Sequence, residues 1–143
     1  MKILLTISTI LTAIFLLVSC AENEAPVKKR KQLNPNGDSE LALLMRDMFD
    51  DGMKMKEMIK NGEHPEVSVD FQKILTANAT EPEKAASPEY KAFAQTYIQT
   101  MEAIEKASPE DKLVLYDTMV ENCMTCHEAL CPGPTRRIVK LKI

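Results

Sequence analysis

From Asp38 to Leu130 the apolar residues recur at alternating intervals of three and four. Only an α-helix gathers residues so spaced on one face. Four stripes follow one another. The first runs Leu41, Met45, Met48, Gly52, Met55 and Ile59, behind Asp38 or Ser39 as a cap and ahead of the terminator Asn61-Gly62. The second is short: Val67, Phe71 and Ile74 follow His64-Pro65 and lead into a loop over 78–86. The third starts at Ser87-Pro88-Glu89. There a capping hydroxyl, a proline whose missing N–H does no harm and an acid near the positive end of the helix dipole coincide. Its stripe is Tyr90, Ala94, Tyr97, Met101 and Ile104. Ser108-Pro109-Glu110 repeats the start signal, and Leu113, Tyr116, Val120, Cys123, His127 and Leu130 follow, until Cys131-Pro132-Gly133-Pro134 breaks the pattern. Composition agrees, with nine Met, no Trp, three Tyr and four Phe, where a sheet would favour aromatic and β-branched residues. The expected fold is all-α, an antiparallel four-helix bundle over 38–131, because short links make consecutive helices antiparallel neighbours.

The two ends read differently. Lys2 precedes an apolar run from Ile3 to Val18, which is short for a bilayer span and fits the core of a signal peptide. It closes on Leu17-Val18-Ser19-Cys20, which resembles the lipobox of bacterial lipoproteins. That resemblance implies cleavage after residue 19, acylation of Cys20 and attachment to a membrane on its outer side, facing the periplasm or the cell exterior. The competing reading makes Cys20 an ordinary buried cysteine of a membrane anchor. Between Ala21 and Gly37 no apolar period is found, and Lys28-Lys29-Arg30-Lys31 and Asn34-Pro35-Asn36-Gly37 read as a tether ending in a turn. Its basic run is either solvated or laid against anionic head groups. The expected division is a signal peptide over 1–19, a lipidated tether over 20–37, the bundle over 38–131 and a basic tail over 132–143.

The chemistry is concentrated in Cys123-Met124-Thr125-Cys126-His127. Cys-x-x-Cys-His is the signature of covalent c-type haem attachment. Thiols three apart on a helix share a face and can add to the two haem vinyl groups, while an imidazole four residues after the first thiol can turn to the iron. The expected cofactor is one covalent haem c, held by Cys123 and Cys126 and ligated by His127. Two other readings use the same residues. A zinc site could be drawn from Cys123, Cys126 and Cys131 with His127 or His64. However, a thiol pair on a continuous helix is an awkward start for a zinc knuckle. A thioredoxin-like Cys-x-x-Cys would need a βαβ pattern, which is lacking here.

In an up-down-up-down bundle, three reversals bring the end of the fourth helix beside the start of the first. A second axial ligand across the haem from His127 is therefore expected between Leu41 and Met48. Met45 is the candidate and Met48 the alternative, whereas Met53, Met55, Met58 and His64 lie too far along the chain. All five methionines of the first helix could instead be core filler. The stretch from Ser39 to Leu130 resembles cytochrome c prime and its Met-ligated relatives, through Cys123, Cys126 and His127 at the end of the fourth stripe and through Leu44-Met45-Arg46-Asp47 and Asn61-Gly62-Glu63 in and after the first. The resemblance implies that a first-helix side chain covers the distal face of the haem. Where that side chain is Met, the iron is six-coordinate and serves electron transfer. The family often carries a basic residue four after the ligating His, and Cys131 stands there in this chain.

The function expected from these signals is that of a membrane-anchored electron carrier and not of an enzyme. The alternative is a five-coordinate haem protein that binds nitric oxide or carbon monoxide, should the distal residue be apolar. Eighteen Lys and Arg against twenty-one Asp and Glu give no positive field to draw in nucleic acid. The charges are unevenly spread, however: nine basic and nineteen acidic residues lie between Gln32 and Thr135. Redox partners with basic docking patches are expected. The oligomeric state stays open, a dimer included.

Overall fold

A computed structural model of the chain describes residues 37–143. Cys20, the apolar N-terminal run and the tether over 21–36 lie outside these residues. The described part is all-helical, with no strand among its residues. Three long helices, α1 (Glu40–Lys60), α3 (Pro88–Glu105) and α4 (Lys112–Leu130), carry the fold, and two single-turn helices, α2 (Pro82–Ala85) and α5 (Thr135–Ile138), accompany them. Turns of 3₁₀-helix occupy Phe71–Leu75 and Val139–Leu141.

The ends of the long helices follow from local chemistry. Ser39 caps α1 by accepting the Ala42 N–H at 3.2 Å, and beyond Lys60 the chain leaves the helix through Gly62 at φ +79°, a left-handed turn that glycine adopts without strain. Ser87 caps α3 by accepting the Tyr90 N–H at 3.1 Å. Before α4 the hydroxyl of Ser108 accepts the Asp111 N–H, but the intervening residues form a turn and the helix proper starts at Lys112.

The second stripe does not form a helix of its own. Val67 lies in an extended approach, and Phe71 and Ile74 are buried from a single 3₁₀ turn. The reason lies in α1. Asp51, only 3% exposed, accepts both the backbone N–H and the hydroxyl of Ser68, so the segment before Phe71 spends its hydrogen bonds on α1 and not on a helical turn. Two apolar anchors also bury too little to offset helix nucleation. On the far side, Tyr90 at the head of α3 donates its hydroxyl to the Ile74 carbonyl at 2.8 Å and fixes the turn.

The core is built from Leu44, Met48 and Met55 of α1, Tyr97, Met101 and Ile104 of α3, and Tyr116, Met119 and Val120 of α4, with α3 and α4 in the most extensive contact. It does not end at Cys131. The tail folds back, burying Ile138 and Leu141. The fully buried Tyr116 donates its hydroxyl to the carbonyls of Leu141 at 2.9 Å and Gly52 at 3.1 Å. Gly52 allows this approach, since a Cβ there would stand 3.1 Å from Leu141 Cδ2. Lys56 donates to the carbonyls of Lys140, at 3.0 Å, and Lys142, while the Lys142 ammonium meets Glu121 at 3.1 Å. Tyr116→Phe leaves two buried carbonyls without this donor and should lower the unfolding free energy by about 1–3 kcal/mol. A denaturant midpoint shifted down at unchanged slope is the expected observation, and an unchanged midpoint would show that the hydroxyl does not anchor the tail.

Candidate functional site

The first helix presents a second apolar stripe beside the one in the core. Leu41, Met45 and Phe49, spaced by four, line a cleft of about 540 Å³ that is closed by residues of α2, α3, α4 and the C-terminal arm. The volume is in the range of a small-molecule or cofactor site. Cys126, His127, Leu130 and Cys131 reach it from the end of α4, and Tyr90 from the head of α3. Met45 and His127, more than eighty positions apart in the chain, thus share one cavity. Met48 does not line it, being buried in the core at 7% exposure. Phe49 and the arm residues Pro134, Arg137 and Ile138 also line it and were not among the residues expected from sequence. The signal for Phe49 was available in its spacing from Met45.

His127 is oriented by its own helix end. Its Nδ1 lies 3.2 Å from the Cys131 carbonyl oxygen and 3.2 Å from Cys131 Sγ. A carbonyl can only accept, so Nδ1 carries the proton and Nε2 keeps its lone pair. Burial lowers the pKa of the ring against a smaller raising effect of the same hydrogen bond, which keeps the imidazole neutral at neutral pH. A neutral imidazole with one N–H tied to a backbone carbonyl is the arrangement in which histidine ligates a metal.

The thiols are less uniformly placed. Cys126 and Cys131 line the cleft, whereas Cys123 does not, its Sγ lying 3.8 Å from Met119 Sδ one turn back along α4. Burial, and secondarily the neighbouring Cys126, pushes the Cys123 thiol up to about 12. Burial, then Cys131 and Glu89, pushes Cys126 up to about 11, so both thiols are protonated at neutral pH. Among the described residues no three His, Cys, Asp or Glu side chains gather closely enough to hold a metal ion, and His64 is exposed in the loop after α1. The described cysteines and histidines thus form no assembled four-ligand zinc site.

The residues fit a haem with one adjustment. An apolar cleft, a neutral histidine, a methionine thioether on another helix and the thiol of Cys126 directly before that histidine all suit such a group. The adjustment concerns Cys123, whose Sγ lies against Met119 Sδ and outside the cleft lining. Compared with family models, curated proteins and solved structures, the chain gives no significant match to any.

Proposed function

We propose that the protein is a monohaem c-type cytochrome that carries single electrons between redox partners, anchored through an acylated Cys20 to a bacterial membrane and facing the periplasm or cell exterior. The observation that carries this reading is the meeting of Met45, Cys126 and His127 in one apolar cleft, with His127 Nδ1 engaged by the Cys131 carbonyl. On this reading Cys123 and Cys126 hold the cofactor as thioethers, and the described helices form a variant of the cytochrome c prime bundle in which a 3₁₀ turn stands for the second helix. Haem bound there supplies a one-electron iron couple.

The chain's own residues do the rest. His127 and Met45 would hold the iron, a donor pair suited to electron transfer. The carbonyl of Cys131 holds the imidazole in the required tautomer. Leu41, Phe49 and Leu130 line the cleft with apolar surface and would shield a bound haem from water. Among the described residues no helix is long and apolar enough to cross a membrane. The absorption spectrum of the purified, reduced protein tests the reading: a low-spin c-type haem spectrum is expected, and a colourless protein would overturn it.

The folded tail changes the charge distribution expected from sequence. With its four basic residues included, 37–143 carries thirteen basic against nineteen acidic side chains, and the excess of acid lies outside the arm. Reduction by a basic partner should slow as ionic strength rises. Stopped-flow rates that do not change with salt would contradict an acidic docking face.

A further inference from the structure

The C-terminal arm supplies one wall of the cleft through Gly133, Pro134, Arg137 and Ile138, and it is held there by Tyr116 and Lys56. Charge at the cleft is contributed by three cations from three elements, Arg46, Lys84 and Arg137, and by the carboxylate of Glu81. Two of the cations are committed. Arg46 grips the nearly buried carboxylate of Asp38 with two bonds of 2.6 and 2.7 Å, and Lys84 pairs with Glu81 at 2.9 Å within one helical turn. Arg137 differs. Its contact with Asp50 is single, long at 3.4 Å and made between half-exposed side chains, a type of pair that contributes little. Its guanidinium lies over the Phe49 ring, Cζ 4.2 Å from the centroid, a contact that restrains the group without taking up its N–H donors in hydrogen bonds.

We propose that Arg137 is the anion-binding residue of the cleft, taking an acidic group of a flat, otherwise apolar occupant. This rests on the haem reading, in which that group is a propionate. A guanidinium pre-oriented on an aromatic face loses little freedom on binding a carboxylate and can meet it with two parallel bonds. The basic tail thereby acquires a role in the site: its apolar residues dock the arm, and its second arginine would take the acidic group of the occupant.

The test is the reduction potential of the haem-loaded protein in Arg137→Gln, Arg137→Lys and Lys140→Gln, with thermal unfolding followed in each. A cation near the cofactor favours the reduced, less positive iron. Arg137→Gln should therefore lower the potential, with a shift that shrinks as salt is added. Arg137→Lys should recover part of it, and Lys140→Gln, on the same arm but outside the cleft lining, should leave the potential near that of the wild type. Haem attached normally, with equal potentials in Arg137→Gln, Arg137→Lys and wild type, would overturn this inference alone. Equal downward shifts in Arg137→Gln and Lys140→Gln would overturn it too, since any charge on the arm would then act alike. A wild-type protein without covalent haem would overturn it together with the reading it rests on.

Discussion

Met45→Ala should convert the haem-loaded protein from low-spin to high-spin, whereas Met48→Ala should leave it low-spin. The two methionines lie three apart on α1 but face different surroundings. Met45 lines the cleft that His127 also lines, and Met48 packs with Leu44 and Met55 in the core. On the haem reading, removing Met45 would take away an iron ligand and open that side of the cleft to water or small gases. Removing Met48 leaves a cavity, which typically costs about 2–5 kcal/mol of stability for a large apolar side chain cut to alanine. Spin state and unfolding midpoint should thus separate: one variant changes the spectrum, the other the stability. A wild type already high-spin would contradict Met45 as ligand and move the function toward nitric oxide or carbon monoxide binding.

The second large effect concerns the thiols. Cys126→Ser should retain haem through a single thioether, Cys131→Ser should retain both, and the double variant Cys123→Ser/Cys126→Ser should lose covalent haem altogether. Cys131 lines the same cleft as Cys126, so proximity alone does not separate them. Spacing does. Cys123 and Cys126 stand three apart on the continuous α4 with His127 directly after the second, the Cys-x-x-Cys-His spacing, whereas Cys131 follows the last turn as the helix cap with its Sγ 3.2 Å from His127 Nδ1. Loss of haem from Cys131→Ser would show that the attachment pair has been misassigned. The reduced absorption spectrum in alkaline pyridine distinguishes two thioethers from one.

Much of this arrangement is legible in the sequence. Helices α1 and α3 announce themselves through Ser39 and Ser87, and every residue of the Tyr90, Ala94, Tyr97, Met101 and Ile104 stripe is buried. The second stripe misleads because Val67, Phe71 and Ile74 have helical spacing, yet the bond between Asp51 and Ser68 that holds the segment extended joins residues 17 apart. Periodicity cannot report a contact of that kind. The arm is hidden for a different reason. Ile138 and Leu141 stand three apart among Arg136, Arg137, Lys140 and Lys142, and the charges mask a two-residue apolar stripe that buries only because Gly52 and Tyr116 receive it. In the site, Met45 and His127 line one cleft. The rotamer of Cys123 against Met119, by contrast, is a matter of packing that no motif encodes.

The most direct measurement is the mass of the tryptic peptide Leu113–Arg136, taken from the denatured, alkylated protein purified from cells that attach c-type haem. This peptide holds Cys123, Cys126 and Cys131. The expected result is a peptide heavier by one haem that survives denaturation, with a single alkylated thiol at Cys131. A haem-free peptide with all three thiols alkylated would contradict the cytochrome reading.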